Sequence, residues 1–101
     1  MITLDEGVVQ FVREEARKSG IKRPVVLIMD CGCMMDKETV ELDIKGKGAE
    51  KGYDFYLEAE GIRFFVNPKV RHLADQGRIG VMAYGAGRFK RLEFYPPDKK
   101  A

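Results

Sequence analysis

The sequence predicts a single α+β domain with mixed or antiparallel sheets. The chain has 101 residues, near the commonest domain size, and its 45% hydrophobic and 34% charged residues are typical of a folded globular protein. One amphipathic helical segment near the N-terminus is followed by several short strand-like segments, a short helix and two more strands. This order differs from that of a doubly wound parallel fold. We place the domain at residues 1–97 and expect residues 98–101 to fray.

The first helix is expected from about Asp5 to Ser19. Thr3 or Asp5 would be its N-cap, and Glu6 is spaced to form a capping box with Thr3. Gly20 would end the helix. Apolar residues recur at helical spacing and define the core face, namely Val8, Val9, Val12 and Ala16.

Two strands are expected around the cysteines. Val25 to Met29 is a short apolar, β-branched run, which predicts a buried strand. Thr39 to Ile44 alternates apolar and polar residues, so we expect a half-exposed strand with its apolar side chains toward the core. The connection between these strands carries both thiols of the chain.

The second half of the chain is expected to contain four strands and the short helix. Tyr53 to Glu58 and Ile62 to Val66 flank Glu60-Gly61 as a hairpin. Asn67-Pro68 begins a short helix through about Ala74, since proline is favoured in the first turn. The last two strands are Arg78 to Ala83 and Arg88 to Phe94.

The formal net charge of +2 is too small to indicate nucleic acid as a partner. Residues 88–91, Arg-Phe-Lys-Arg, form a basic cluster that we interpret as a solvated strand face. The first residues lack the pattern of a signal peptide, and no apolar run has membrane-spanning length. We therefore expect a cytoplasmic protein that does not interact with a membrane.

Cys31-Gly32-Cys33 is the strongest functional signal. These two cysteines are the only ones in the chain, and Gly32 tolerates a turn that brings their side chains together. Thiolates favour zinc, Cu(I) or iron–sulfur clusters, but two of them fill only half of a coordination sphere. Two alternatives remain open: buried cysteines that only pack, and a Cu(I) or zinc site that includes Met34 or Met35. A disulfide is not favoured, because so small a ring strains its geometry.

We expect no enzymatic activity. His72 is the only histidine, and no carboxylate lies at a spacing that would orient it as a base. The acidic pairs, such as Glu14-Glu15, are typical of helix and strand surfaces.

The order of segments resembles that of the HesB-like family of A-type iron–sulfur cluster carriers. Met1-Ile2-Thr3-Leu4 before a helix is similar to the start of that family. The stretch from Gly61 to Lys69, Gly-Ile-Arg-Phe-Phe-Val-Asn-Pro-Lys, resembles its most recognisable segment. Residues 73–81 and 89–96 fall where the family has a helix end, a strand and a closing strand before a proline. The resemblance covers roughly residues 1–97 and implies a HesB-like domain and a role in cluster assembly or transfer.

The resemblance implies that Cys33 is a cluster ligand. The family places one cysteine after its first strand, in a Gly-Cys-Ser-Gly setting, and a Cys-Gly-Cys near its C-terminus. Gly32-Cys33 matches the first position, whereas no cysteine follows Cys33 and Cys31 is an additional thiol. A two-iron cluster needs about four protein ligands, so a homodimer would share it through both thiol pairs. The alternative is a metal-free interaction module that keeps the fold.

Overall fold

The computed structural model describes residues 1–31 and 39–97 and confirms the α+β class. The helices are α1 (Val8–Lys18) and α2 (Arg71–Ala74), the second preceded by a 3-10 turn at Pro68–Val70. The strands are β1 (Thr3–Leu4), β2 (Pro24–Asp30), β3 (Val40–Gly46), β4 (Asp54–Ala59), β5 (Ile62–Val66), β6 (Arg78–Tyr84) and β7 (Phe89–Tyr95).

The described strands form two mixed sheets. The larger has the order β3-β2-β5-β4, in which β2 and β5 are parallel and the other neighbours antiparallel. The smaller has the order β1-β6-β7, with β1 parallel to β6 and β7 antiparallel to it. Both β3 and β7 are therefore outer strands of their sheets. Of the two predicted arrangements, mixed or antiparallel, the sheets adopt the mixed one.

The start of α1 differs from the prediction. The helix begins at Val8, its N-cap is Gly7 with φ 94°, and no side chain caps it. The capping box with Thr3 does not form, because the preceding residues extend along β6 instead. Thr3 N donates to Gly77 O at 3.1 Å, and Asp5 N donates to Ile79 O at 2.9 Å. Sheet pairing thus takes up backbone groups that the sequence pattern assigned to the first helical turn.

The other predicted elements are confirmed to within about two residues. β4 and β5 form the expected hairpin, with positive φ at Glu60 and Gly61, as a two-residue turn requires. The side chain of Asn67 accepts a hydrogen bond from Lys69 N at 2.9 Å and so caps the 3-10 turn.

The main core lies among α1 and both sheets. Its members are apolar side chains that face α1 from each sheet, together with the buried face of the helix. They include Val8, Val12, Val26, Ile28, Phe64, Val66, Ile79 and Leu92. Because residues of both sheets contribute, the positions of β3 and β7 relative to α1 are fixed by shared packing.

Candidate functional site

Cys31 lies directly after β2 and is half-buried. Its N–H donates to Thr39 O at 3.0 Å. The antiparallel pairing of β2 and β3 therefore continues for one residue past the end of β2. This hydrogen bond holds the backbone at Cys31 against the start of an outer strand. The prediction that Cys31 follows the first buried strand is confirmed.

Cys31 is disulfide-bonded in the structure. The prediction that disfavoured a disulfide is therefore wrong: strain in a small ring did not exclude the bond at Cys31. The chain contains one other cysteine, Cys33. Cys33 lies outside the described residues, as do Met34 and Met35. Since a thiolate is the form that binds metal, coordination by Cys31 requires its reduced state.

A groove of about 780 Å³ opens beside Cys31. Its volume lies in the range of roughly 300–1,000 Å³ that is common for ligand sites. β3 and β7 form its two sides, and residues of α1 and the following turn contribute to the lining. The lining residues are Phe11, Glu15, Ser19, Ile21, Cys31, Thr39–Ile44 and Lys90–Phe94.

The groove has an apolar floor and charged sides. Phe11, Leu42 and Phe94 are half-buried, and Leu92 is buried, so apolar surface lies at its base. The sides carry four carboxylates, Glu15, Glu41, Asp43 and Glu93, and two cations, Lys90 and Arg91. Carboxylates thus outnumber cations among the lining residues.

Three of the four carboxylates are in ion pairs. Glu15 pairs with Lys18 at 3.5 Å, Asp43 with Lys45 at 3.2 Å, and Glu93 with Arg91 at 3.3 Å. The remaining carboxylate, Glu41, is exposed and makes no ion pair with any residue in the described ranges. Its charge is therefore the one most available to a ligand.

Thr39 adds a polar group next to Cys31. Its hydroxyl Oγ1 is buried and has no hydrogen-bond partner among residues 1–31 and 39–97. An unsatisfied buried hydroxyl costs about 1–3 kcal/mol, so a ligand or water that donates to it or accepts from it would be stabilised there.

His72 does not join this site. It is exposed on α2 and is absent from the lining of the groove. Within residues 1–31 and 39–97, no three His, Cys, Asp or Glu side chains are close enough to hold a metal ion. A metal bound at Cys31 would need ligands from residues 32–38 or from another molecule.

The basic cluster at residues 88–91 lies at the tip of the hairpin formed by β6 and β7, and all four of its residues are exposed. Phe89 stacks on Tyr84 with ring centroids 5.5 Å apart, and Arg91 lies over the Tyr84 ring at 5.7 Å. The predicted solvated strand face is confirmed. Across the described ranges, no helix is long and apolar enough to cross a membrane.

The chain matches no protein-family model and no curated protein. Among solved structures it is similar to an NMR structure of a protein from Aquifex aeolicus, with a TM-score of 0.63 and 12% sequence identity. The similarity covers 91% of this chain and 89% of that chain. At this identity the comparison establishes a shared fold and no shared activity.

Sequence reasoning found Cys31 but missed the groove beside it. The groove depends on β3 and β7 facing each other, although about 50 residues separate them in the chain. One signal was available: the alternation of Thr39 to Ile44 is typical of a strand with one solvated face, and its polar residues include Glu41 and Asp43.

Proposed function

We propose that this protein is a HesB-like, A-type carrier that binds iron or an iron–sulfur cluster through the reduced thiols of Cys31 and Cys33. It would act in the cytoplasm as a carrier and not as an enzyme. The observation that carries the proposal is the position of Cys31, at the end of a buried strand and on the lining of an open groove. A cysteine held at the end of a well-packed strand can bind a cluster, and the groove beside it gives the cluster a route in and out.

The sequence resemblance is the support for this family. The stretch from Gly61 to Lys69 that resembles the HesB-like family contains β5 and the start of the 3-10 turn. Two thiols per chain supply half of the roughly four ligands that a two-iron cluster needs. We therefore propose that a homodimer shares the cluster and passes it to a recipient protein.

Anaerobic reconstitution with iron and sulfide, in the presence of a reductant, tests the proposal. The reduced chain is expected to turn brown and to absorb in the visible, because thiolate-to-iron charge transfer absorbs there. Cys31→Ser and Cys33→Ser should each lose most of the bound iron after desalting, whereas His72→Ala should retain it. A wild-type protein that stays colourless and keeps no iron would contradict the carrier function.

Two other functions would then remain. Retention of zinc or Cu(I) by the reduced protein, without iron, would identify a soft-metal binding protein. If the protein keeps no metal, the chain is a divergent, metal-free interaction module. The groove between β3 and β7 favours this last candidate, because it offers a binding surface that needs no metal.

A further inference from the structure

The hairpin formed by β6 and β7 carries a concentrated positive charge. Residues 76–92, which span β6, the turn and the first part of β7, contain four cations, Arg78, Arg88, Lys90 and Arg91, and no Asp or Glu. The charge of this stretch exceeds the net charge of the whole chain, which is +2, so the other residues are negative on balance. A net charge is an average over the chain and does not describe such a local concentration. The hairpin can therefore attract an anionic partner.

Two exposed aromatic rings lie near the end of this hairpin. Tyr84 and Phe89 are opposite each other in the register of β6 and β7. Their ring centroids are 5.5 Å apart, and the ring planes are stacked at 28°. Phe89 is 56% exposed and Tyr84 is 47% exposed. The pair thus presents apolar, flat surface to water, which a stacking partner would cover.

Both rings belong to the face of the small sheet that is turned away from the main core. Ile79 on β6 and Leu92 on β7 are buried in that core. Side chains alternate between the two faces of a strand, so Tyr84 and Phe89, an odd number of positions away, lie on the opposite face. Arg91 lies on this outer face too, and its guanidinium is 5.7 Å from the centroid of the Tyr84 ring.

The turn between the strands holds the Phe89 ring without covering it. Its first three residues are Gly85, Ala86 and Gly87, whose side chains are absent or small. The ring lies against the backbone at Gly85, where an added Cβ would approach Phe89 Cδ2 to 2.8 Å. The ring is therefore fixed on one side, while more than half of the residue stays accessible.

The cations of the hairpin are available to a ligand. Arg88 and Lys90 are exposed and make no ion pair with any residue in the ranges 1–31 and 39–97. Arg91 pairs with Glu93 at 3.3 Å, but a pair at the surface contributes little, so a phosphate can compete for the guanidinium. Lys90 lies on the opposite face of β7 and adds to the positive potential of the hairpin. We call Tyr84, Arg88, Phe89 and Arg91 the hairpin patch.

Flat aromatic surface beside cations is the combination that binds single-stranded nucleic acid, because every base has a π face and every phosphate a negative charge. The rings lie on a sheet face, along which a strand can run. An anionic membrane would instead meet the outermost turn first, and that turn offers only Gly85, Ala86 and Gly87 before Arg88.

We propose that the hairpin patch binds single-stranded nucleic acid, with a base stacked on Phe89 and phosphates held by Arg88 and Arg91. Stacking and phosphate charge do not involve the sugar hydroxyl, so RNA and DNA bind alike. This activity is additional to the proposed carrier function and uses no thiol and no metal.

The test titrates a fluorescein-labelled thymidine dodecamer with the reduced, metal-free protein and follows fluorescence anisotropy. Saturable binding is expected, and doubling the salt concentration should weaken it about three-fold, as two or three phosphate contacts require. An abasic dodecamer has the same charge without bases and should bind at least about ten-fold more weakly. A uridine dodecamer should match the thymidine dodecamer within about three-fold. Equal affinity for the abasic and thymidine strands would overturn the proposal, because charge alone would then explain binding.

Matched phenylalanine variants locate the stacking site. Phe89→Ala should weaken binding about ten-fold, and Phe89→Trp should retain it, because the base needs a ring at this position. Phe55 on β4 is the control: it is 53% exposed, with the Phe65 ring 5.7 Å and the Arg63 guanidinium 5.9 Å away. Phe55→Ala removes the same ring from the other sheet and should leave affinity within about two-fold. Equal effects of the two alanine variants, with both shown to be folded by circular dichroism, would contradict the proposal.

A second pair of variants tests the phosphate contacts. Arg88→Gln should weaken binding about three-fold and reduce its dependence on salt, since one phosphate contact is lost. Arg17→Gln removes the same charge from an exposed position on α1 and should change affinity by less than about two-fold. Equal losses in the two variants would show a diffuse attraction without a site.

Two further measurements separate this activity from other partners. If the protein sediments with phosphatidylserine vesicles in a Phe89-dependent way and binds no dodecamer, the hairpin patch contacts a membrane surface and the proposal is wrong. Cys31→Ser should bind the thymidine dodecamer as the wild type does even though it fails to hold iron, so the failure of iron binding leaves this inference intact.

Discussion

Tyr56 links three separate parts of the chain. Its hydroxyl donates to Asp75 Oδ1 at 2.5 Å and accepts from Ile2 N at 2.9 Å, and its ring is buried. The guanidinium of Arg71 lies 5.4 Å from the ring centroid. One hydroxyl therefore connects the N-terminal segment, β4 and the residue after α2.

Replacing Tyr56 by Phe is expected to lower the free energy of unfolding by about 1–3 kcal/mol, because Asp75 and Ile2 N lose their partner. Urea denaturation at neutral pH measures this. A change indistinguishable from zero would show that water replaces the hydroxyl without cost.

The same residue predicts a pH dependence. Burial, and then the hydrogen bond to Asp75, raise the pKa of Tyr56 from 10.0 to about 12. The neutral phenol is thus favoured in the folded state, and its contribution is fully present below pH 10 and lost as the pH rises through about 12. The difference in unfolding free energy between the wild type and Tyr56→Phe should shrink over this interval. A difference that stays constant would contradict the assigned pKa.

At the scale of elements, Gly77, the residue just before β6, is packed closely against β7. A Cβ added at Gly77 would overlap the ring of Phe94 and lie 2.9 Å from Tyr95 O. At Gly46, at the end of β3, a Cβ would meet Ile21 Cγ2 at an ordinary 3.7 Å. A side chain therefore does not fit at Gly77, whereas a methyl group fits at Gly46.

We expect Gly77→Ala to lower the free energy of unfolding by about 1–3 kcal/mol, because the backbone of β7 must shift. Gly46→Ala should change it by no more than about 0.5 kcal/mol. Thermal or urea unfolding of both variants provides the comparison. Equal stability of the two would mean that β6 and β7 separate more easily than their packing indicates.

At the scale of the whole molecule, the proposed function predicts assembly. If two chains share one cluster, reconstitution should shift the protein from monomer to dimer, or tighten an existing dimer, because a ligand stabilises the state that binds it. Sedimentation velocity before and after reconstitution measures the shift. Cys33→Ser should lose this response and His72→Ala should keep it, whereas identical behaviour of the wild type and Cys33→Ser would exclude bridging through the thiols.

The sequence by itself determined the α+β class, the existence of nearly every element and the place of Cys31 after a buried strand. These features depend on local causes: residue alternation over Thr39 to Ile44, proline in the first turn after Asn67, and an apolar helical face on α1. The resemblance to the HesB-like family and the iron–sulfur function remain predictions, and Cys33 lies outside the described residues.

Only the tertiary structure decided the start of α1 and the groove. Thr3 is a good N-cap in isolation, but hydrogen bonds from Thr3 N and Asp5 N to β6 place this segment in a sheet. The groove exists because β3 and β7 end different sheets that pack on the same helix. No local pattern encodes that meeting, since the free energy of burying a shared core depends on residues distant in the chain.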